Sequence, residues 1–228
     1  MGIKGLLTPI IRDSKNAVNS NLKDLRTQDK NVVGVDISVL MIRAIKSSPN
    51  AINMYHSQPP QPIPDISDKV VKEIGVYIRH DFRIECVFDG LTPKLKTDKA
   101  HAERYGKDFE KQARLDELHK TKKDFTDADD LRDKKEEVYS LRKHLVRIRP
   151  DIVYYVKEAL LHKFKDKVVC VQAPFEADHQ LVSLFKQRII DYVHTIDSDI
   201  VALGADMIIG TKSDGTCWFM PANDLIST

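Results

Sequence analysis

No apolar run in this sequence approaches the length that crosses a bilayer, so no transmembrane helix is expected. The N-terminus lacks the apolar stretch of a secretion signal, and Leu6 stands where a myristoylation site requires Ser or Thr. Cysteine is scarce: Cys86, Cys170 and Cys217 make an odd number, and no pair has zinc-like or redox-like spacing. Cys86 and Cys170 lie inside apolar runs and read as reduced core residues, which implies a reducing, intracellular compartment. An excess of charge of one sign is missing too. Lys and Arg number 36 against 34 Asp and Glu, a net charge of +2. Near-neutrality does not exclude a basic face, because a cluster of catalytic acids would cancel it in the sum.

What is present is a foldable chain of 228 residues, 42% hydrophobic, enough for one large domain with a real core. Short β-rich runs end in a carboxylate or a turn: Asn31–Asp36, Ile84–Asp89, Val168–Val171 and Tyr192–Asp197, followed by Met207–Gly210 and Cys217–Met220. Helical patterns lie between them at Ser38–Lys46, Ile66–His80, Asp127–Lys163 (broken near Pro150) and Phe175–Arg188. This alternation predicts an α/β fold with a mostly parallel central sheet flanked by helices. Gln58–Pro64 is Pro-rich and reads as a surface loop. Residues Thr92–Arg147 carry charge of both signs with few apolar anchors and read as a solvated helical hairpin within a single domain spanning 1–228.

In open α/β sheets, ligands bind beyond the carboxyl ends of the strands. Asp36 and Asp89 close the first two runs, Glu176 and Asp178 follow the third, and Asp197 and Asp199 follow the fourth. A parallel sheet brings all six to one rim. A lone Asp after a strand is usually a cap or turn residue, and Asp199 suits the start of a short helix. Six acids at four strand ends are harder to explain that way. Unaided, they would repel and raise one another's pKa values. Oxygen-only ligands favour Mg²⁺ or Mn²⁺ over Zn²⁺. Such a site suits phosphoryl chemistry, with two ions clamping a phosphodiester and no side-chain nucleophile.

These acids also sit in recognisable strings. MGIKGL at the N-terminus, GVDIS around Asp36, CVFDG followed by PKLK, APFEADHQ, and TIDSDIVALG occur in this order from Met1 to about Gly210. Together they resemble the flap endonuclease/XPG family of 5′ nucleases; Asp at 178 is closer to its exonuclease branch. The resemblance implies that Asp36, Asp89, Glu176, Asp178, Asp197 and Asp199 hold two Mg²⁺ ions, replaceable by Mn²⁺. It implies that Lys96 contacts the scissile phosphate from the foot of a helical arch, residues 92–147. Lys94, Lys99 and Arg104 would add to the phosphate-binding surface, and Gly2 would approach the active site and the DNA. The implied activity is hydrolysis near 5′ ends, flaps or single/double-strand junctions of DNA, by a nuclear monomer. RNA as substrate, as in PIN-like ribonucleases, and a binding domain with little catalysis are the alternatives.

Three departures from the family pattern bear on these expectations. Its second arch cation would fall near Glu103; the nearest arginine, Arg104, is one place off, which a helix turns by roughly 100°. Ile42 stands where flap endonucleases carry a base-stacking aromatic. The family's helix–two-turn–helix element, with its further metal-binding Asp, would lie beyond Thr228, so duplex anchoring through a potassium ion is not expected. His179 reads as a surface or cap histidine, and Trp218 and Phe219 as packing residues of the last strand.

Overall fold

The structure, a computed structural model, describes residues 18–57, 63–91, 100–120, 128–197 and 199–222, with only the backbone described at 64, 100–104 and 128. Among the described residues, seven strands form one sheet. They are β1 (Val18–Asn21), β2 (Val32–Asp36), β3 (Arg83–Phe88), β4 (Val168–Gln172), β5 (Tyr192–His194), β6 (Met207–Ile209) and β7 (Thr216–Met220). Their spatial order is β1-β7-β6-β5-β2-β3-β4. The five strands from β6 to β4 are mutually parallel, and β7 and β1 join antiparallel at the edge. The α/β architecture with a mostly parallel sheet is therefore present.

The helices are α1 (Leu22–Leu25), α2 (Ile37–Lys46), α3 (Pro49–Tyr55), α4 (Pro64–Arg79), α5 (Ala100–Lys120), α6 (Ala128–His144), α7 (Pro150–Phe164), α8 (Ala177–Lys186) and α9 (Asp199–Ala202). Side chains alternate across each strand, so the sheet buries both faces. Ile84, Cys86 and Phe88 of β3 join one core with residues of α2, α4 and α7. Val87 faces the opposite core, built with α8 and α9. In α4, Ile66, Val70, Ile74 and Tyr77 recur at helical spacing and are almost fully buried. The expected long helix over 127–163 is two helices, α6 and α7, separated at 145–149 with Pro150 at the first turn of α7. Pro64, assigned to a loop, instead opens α4, where its missing N–H costs nothing.

Two glycines position the rim. A Cβ at Gly34 would lie 2.4 Å from Ile190 Cδ1 and 2.7 Å from Leu181 Cδ2, so its absence lets α8 approach β2. A Cβ at Gly90 would lie 1.9 Å from the Ala173 carbonyl oxygen. Here two loops run backbone to backbone: Leu91 N–H donates to Pro174 O at 3.2 Å and Ala173 N–H to Phe88 O at 2.9 Å. No side chain fits between them. The tight apposition sets Asp89 beside the start of α8.

The charged segment contains the hairpin of α5 and α6. Leu115 and Leu118 supply its buried anchors. Arg114 joins the helices through Glu137 at 2.8 Å and also pairs with Glu117 at 2.8 Å.

Candidate active site

Each rim acid is placed by local backbone chemistry. Asp36 ends β2 and caps α2, its Oδ1 accepting from Val39 N–H at 3.2 Å; only 6% of the residue is exposed. Asp89 follows β3, and its Oδ1 accepts from Ala177 N–H at 2.9 Å, joining the end of one strand to the first turn of α8. Glu176 occupies the N-cap position of α8 but makes no side-chain capping bond; His179 Nδ1 lies 3.8 Å from its Oε2. Asp178 sits in the first turn of α8. Asp197 Oδ1 accepts from Asp199 N–H at 3.1 Å at the start of α9. Asp36, Asp89 and Asp197 thus make capping bonds through one carboxylate oxygen each, so capping and a rim position coexist.

Electrostatics relate five of the six. Burial, then the charges of Asp178 and Asp89, push the Asp36 carboxyl up to about 7. Burial, then Asp197, Asp89 and Glu176, push Asp178 up to about 6. Asp89, Glu176 and Asp197 therefore lie close enough for their charges to oppose the ionisation of Asp178, and Asp178 and Asp89 close enough to oppose that of Asp36. Asp199 is in the first turn of α9 and is not among these leading influences.

Asp178 Oδ1 is buried and has no hydrogen-bond partner. A buried carboxylate oxygen without a donor is costly. Among the described residues, no three His, Cys, Asp or Glu side chains close around one point as a ready metal cage. The acids form an open rim. Its donors are all oxygen, mutually repelling and incompletely satisfied, and these properties fit a hard divalent cation.

Gly2, Lys94, Lys96 and Lys99 lie outside the described residues, as does the side chain of Arg104. The phosphate-contact expectation therefore has no geometry here. Ile42 is partly buried against the core rather than presented as a stacking platform. Phe219 packs edge-on against Tyr192 with ring centroids 5.8 Å apart, whereas Trp218 remains 38% exposed.

Sequence reasoning missed two features beside the rim. A cleft of about 430 Å³ opens next to Asp89, lined by Ser38, Met41, Phe88, Arg149 and Gln172 among others. Arg149 is held by Asp151 through two hydrogen bonds of 3.0 and 2.9 Å and lies 4.9 Å from the Tyr55 ring. The signal was an arginine directly before a helix-opening proline. The second feature lies at the end of the central strand β5. His194 of β5 is 1% exposed and accepts or donates at Tyr77 Oη through Nδ1 at 2.7 Å, while its Nε2 meets Glu73 Oε1 at 3.3 Å. Tyr77 Oη also bonds Thr211 Oγ1 at 2.6 Å, and Arg43 pairs with Glu73.

One family model matches part of the chain, and several solved structures match its fold. Residues 167–217 match the XPG I-region, the segment holding β4, α8 and four of the rim acids. No curated protein sequence matches the chain. The catalytic core of Rad2 in complex with DNA substrate superposes with a TM-score of 0.58 and 18% identity, covering 92% of this chain and 52% of that one. Human GEN1 in complex with Holliday junction DNA gives 0.59 and 15%, covering 99% and 45%. Flap endonuclease-1 from Methanococcus jannaschii gives 0.57 and 20%, covering 95% and 64%. These likenesses establish the fold. The chain spans about half the length of the Rad2 and GEN1 chains it matches.

Proposed function

We propose that this chain, which has the fold of the flap endonuclease/XPG nucleases and carries their I-region, is a divalent-metal-dependent nuclease. Its substrate class is DNA with a 5′ end, flap or junction; the neighbour Rad2 is seen with a DNA substrate and GEN1 with Holliday junction DNA, which supports DNA and junctions. Magnesium is the resident cation; a GEN1 product complex containing Mg²⁺ supports it. Two ions and replacement by Mn²⁺ belong to the same reading.

The observation that carries the proposal is the Asp178 carboxylate, partly desolvated, with an unpartnered oxygen, among Asp89, Glu176 and Asp197. Divalent cations, when bound, neutralise a phosphodiester and lower the pKa of an attacking water. Asp36, Asp89, Glu176, Asp178 and Asp197 hold and space them; Asp199 is assigned to the same set by its place after β5. In the cation-free protein Asp36, raised to about 7, is partly protonated at neutral pH, and Asp178, raised to about 6, holds its proton only below that; cation binding favours the ionised form of both. The capping bonds fix Asp36, Asp89 and Asp197 in advance, which limits reorganisation when the substrate arrives. Lys96 is assigned to the scissile phosphate and the α5–α6 arch to the single strand, with Lys94, Lys99, Arg104 and Gly2 contributing DNA contacts.

The test is cleavage of a labelled 5′-flap DNA, a nicked duplex and a single-stranded RNA, each with Mg²⁺ or Mn²⁺. We expect metal-dependent cleavage of the DNA substrates, lowered by on the order of 10³-fold in Asp197→Ala with the fold intact. Undiminished cleavage by Asp197→Ala would refute the site. Cleavage of the RNA alone would move the protein to a ribonuclease reading.

A further inference from the structure

Cys86 and Cys170 are far apart in the chain, and their spacing suggests no partnership. The sheet makes them direct neighbours. They are register partners in the parallel β3–β4 pair. Opposed residues on adjacent strands point to the same face, and both pack into the same core cluster. Neighbouring strands lie roughly 4.8 Å apart, inside the roughly 4.4–6.8 Å range of Cα separations that a disulfide spans. The register alone therefore places the two Cα positions at a separation that a disulfide can span.

The two thiols are not equivalent. Cys86 is 0% exposed in the sheet interior, whereas Cys170 is partly exposed on β4, the terminal strand of the sheet. Burial, then the neighbouring Cys170 sulfur, pushes the Cys86 thiol up. The neighbouring Cys86 thiol and the charge of Lys157 lower Cys170 against partial burial and the charges of Glu85 and Glu158. An accessible, thiolate-prone cysteine beside a protected one is the arrangement of an oxidant-reactive residue with a resolving partner. Cys217 lies on β7, toward the other end of the sheet, and is buried there.

We infer that Cys86 and Cys170 form an oxidation site for hydroperoxides, closing to a cross-strand disulfide between β3 and β4. The Cys170 thiolate attacks a peroxide oxygen. The O–O bond breaks, the leaving oxygen departs as water after taking a proton, and Cys170 becomes a sulfenic acid. The Cys86 sulfur then attacks the Cys170 sulfur, the S–O bond breaks, and the Cys86 proton leaves with the hydroxyl as a second water. Both sulfurs are oxidised and, for hydrogen peroxide, one molecule is reduced to two of water. The inference is independent of the nuclease reading, although the new bond would tie together strands that lead to Asp89 and to Glu176.

The experiment treats dilute, reductant-free protein with hydrogen peroxide, then alkylates it with iodoacetamide in denaturant and maps each cysteine by mass spectrometry. We expect Cys86 and Cys170 to be protected together, with loss of two hydrogens and recovery by dithiothreitol, while Cys217 stays alkylatable. Cys170→Ser should return Cys86 to full alkylation. Cys170→Ala, better matched to a half-buried site, should do the same, with circular dichroism verifying the fold. Cys217→Ser should leave the disulfide yield unchanged. Full alkylation of Cys86 while Cys170 gains oxygen atoms would overturn the inference. So would a bond that links two chains on a non-reducing gel.

Discussion

Two sets of polar side chains, each with a buried member, lie beside the central strands, and they are built on opposite principles. Behind β5, His194, Tyr77, Glu73, Thr211 and Arg43 form a chain in which neighbouring groups satisfy one another. Burial works to raise the Glu73 carboxyl, but hydrogen bonds and charge from His194 and Arg43 hold it below its usual range. On the rim, Asp36 and Asp178 have carboxylates as neighbours, and both are pushed upward. One set supports the fold; the other loads it with unfavourable charge. Native proteins retain an unsatisfied buried group where function needs it. The contrast favours the rim as the seat of the proposed chemistry and a structural role for the set behind it.

The most damaging way to break the contrast is to push the rim apart. Gly90→Ala places a Cβ where the Ala173 carbonyl oxygen already sits, 1.9 Å away, with backbone on both sides and no flexible side chain to yield. We expect a loss of more than ~3 kcal/mol in urea unfolding, together with loss of metal binding, because Asp89 and the start of α8 separate. A urea midpoint close to wild type would show that the two loops are looser than their hydrogen bonds indicate.

Asp36→Asn should act in the opposite direction. Asparagine caps α2 as well as aspartate does, but it carries no charge to desolvate. In cation-free protein the variant should gain on the order of 2 kcal/mol near neutral pH while losing catalysis. The pH dependence follows from the same shift. Asp36 is raised from 3.8 to about 7 on folding, so between those values the native state holds a proton that the unfolded chain has released. Stability of the cation-free protein should therefore fall as pH rises from about 4 to about 7. Mg²⁺ should flatten the decline, and Asp36→Asn should reduce it. Thermal melts across that range, with and without Mg²⁺, would show both effects; a slope of the opposite sign would refute the assignment.

The parallel core was readable because short apolar runs containing β-branched residues signal strands, as in VVGVD of β2, RIECVF of β3 and VVCVQ of β4. The convergence of acids was readable because parallel strands present their carboxyl ends together. β1 was not readable: Val-Asn-Ser-Asn has no strand pattern of its own and is held by pairing with β7. α3 is only seven residues long, although Ser48 as cap and Pro49 in the first turn announce it. β5 stops at His194, three residues earlier than expected, because Thr195 and Asp197 turn their side chains to the following backbone N–H groups. The orphaned oxygen of Asp178 and the partners of His194 depend on packing between distant segments, which no local pattern encodes.

Tyr77→Phe tests the satisfied set. Removing the hydroxyl leaves His194 Nδ1 and Thr211 Oγ1 without that partner in a buried site. We expect a loss of ~1–2 kcal/mol. Metal affinity should be unchanged, since the rim acids keep their geometry. A metal-binding defect as large as the stability defect would instead join the two sets into one unit.

The smallest effect is expected in the α5–α6 hairpin, where charge is abundant but wet. Arg114 meets Glu137 and Glu117 at 2.8 Å, distances as short as any well-formed ion pair, yet all three side chains are more than 40% exposed. At that exposure water and salt screen the attraction, and fixing three flexible side chains offsets what remains. Leu115 and Leu118, which are buried, carry the packing of α5 instead. Arg114→Ala should leave the melting temperature nearly unchanged at low salt and indistinguishable from wild type at high salt. A melting temperature lowered as far as by Tyr77→Phe would show that the hairpin's charges are shielded from solvent. The distinction between a solvated arch and a desolvated rim would then fail.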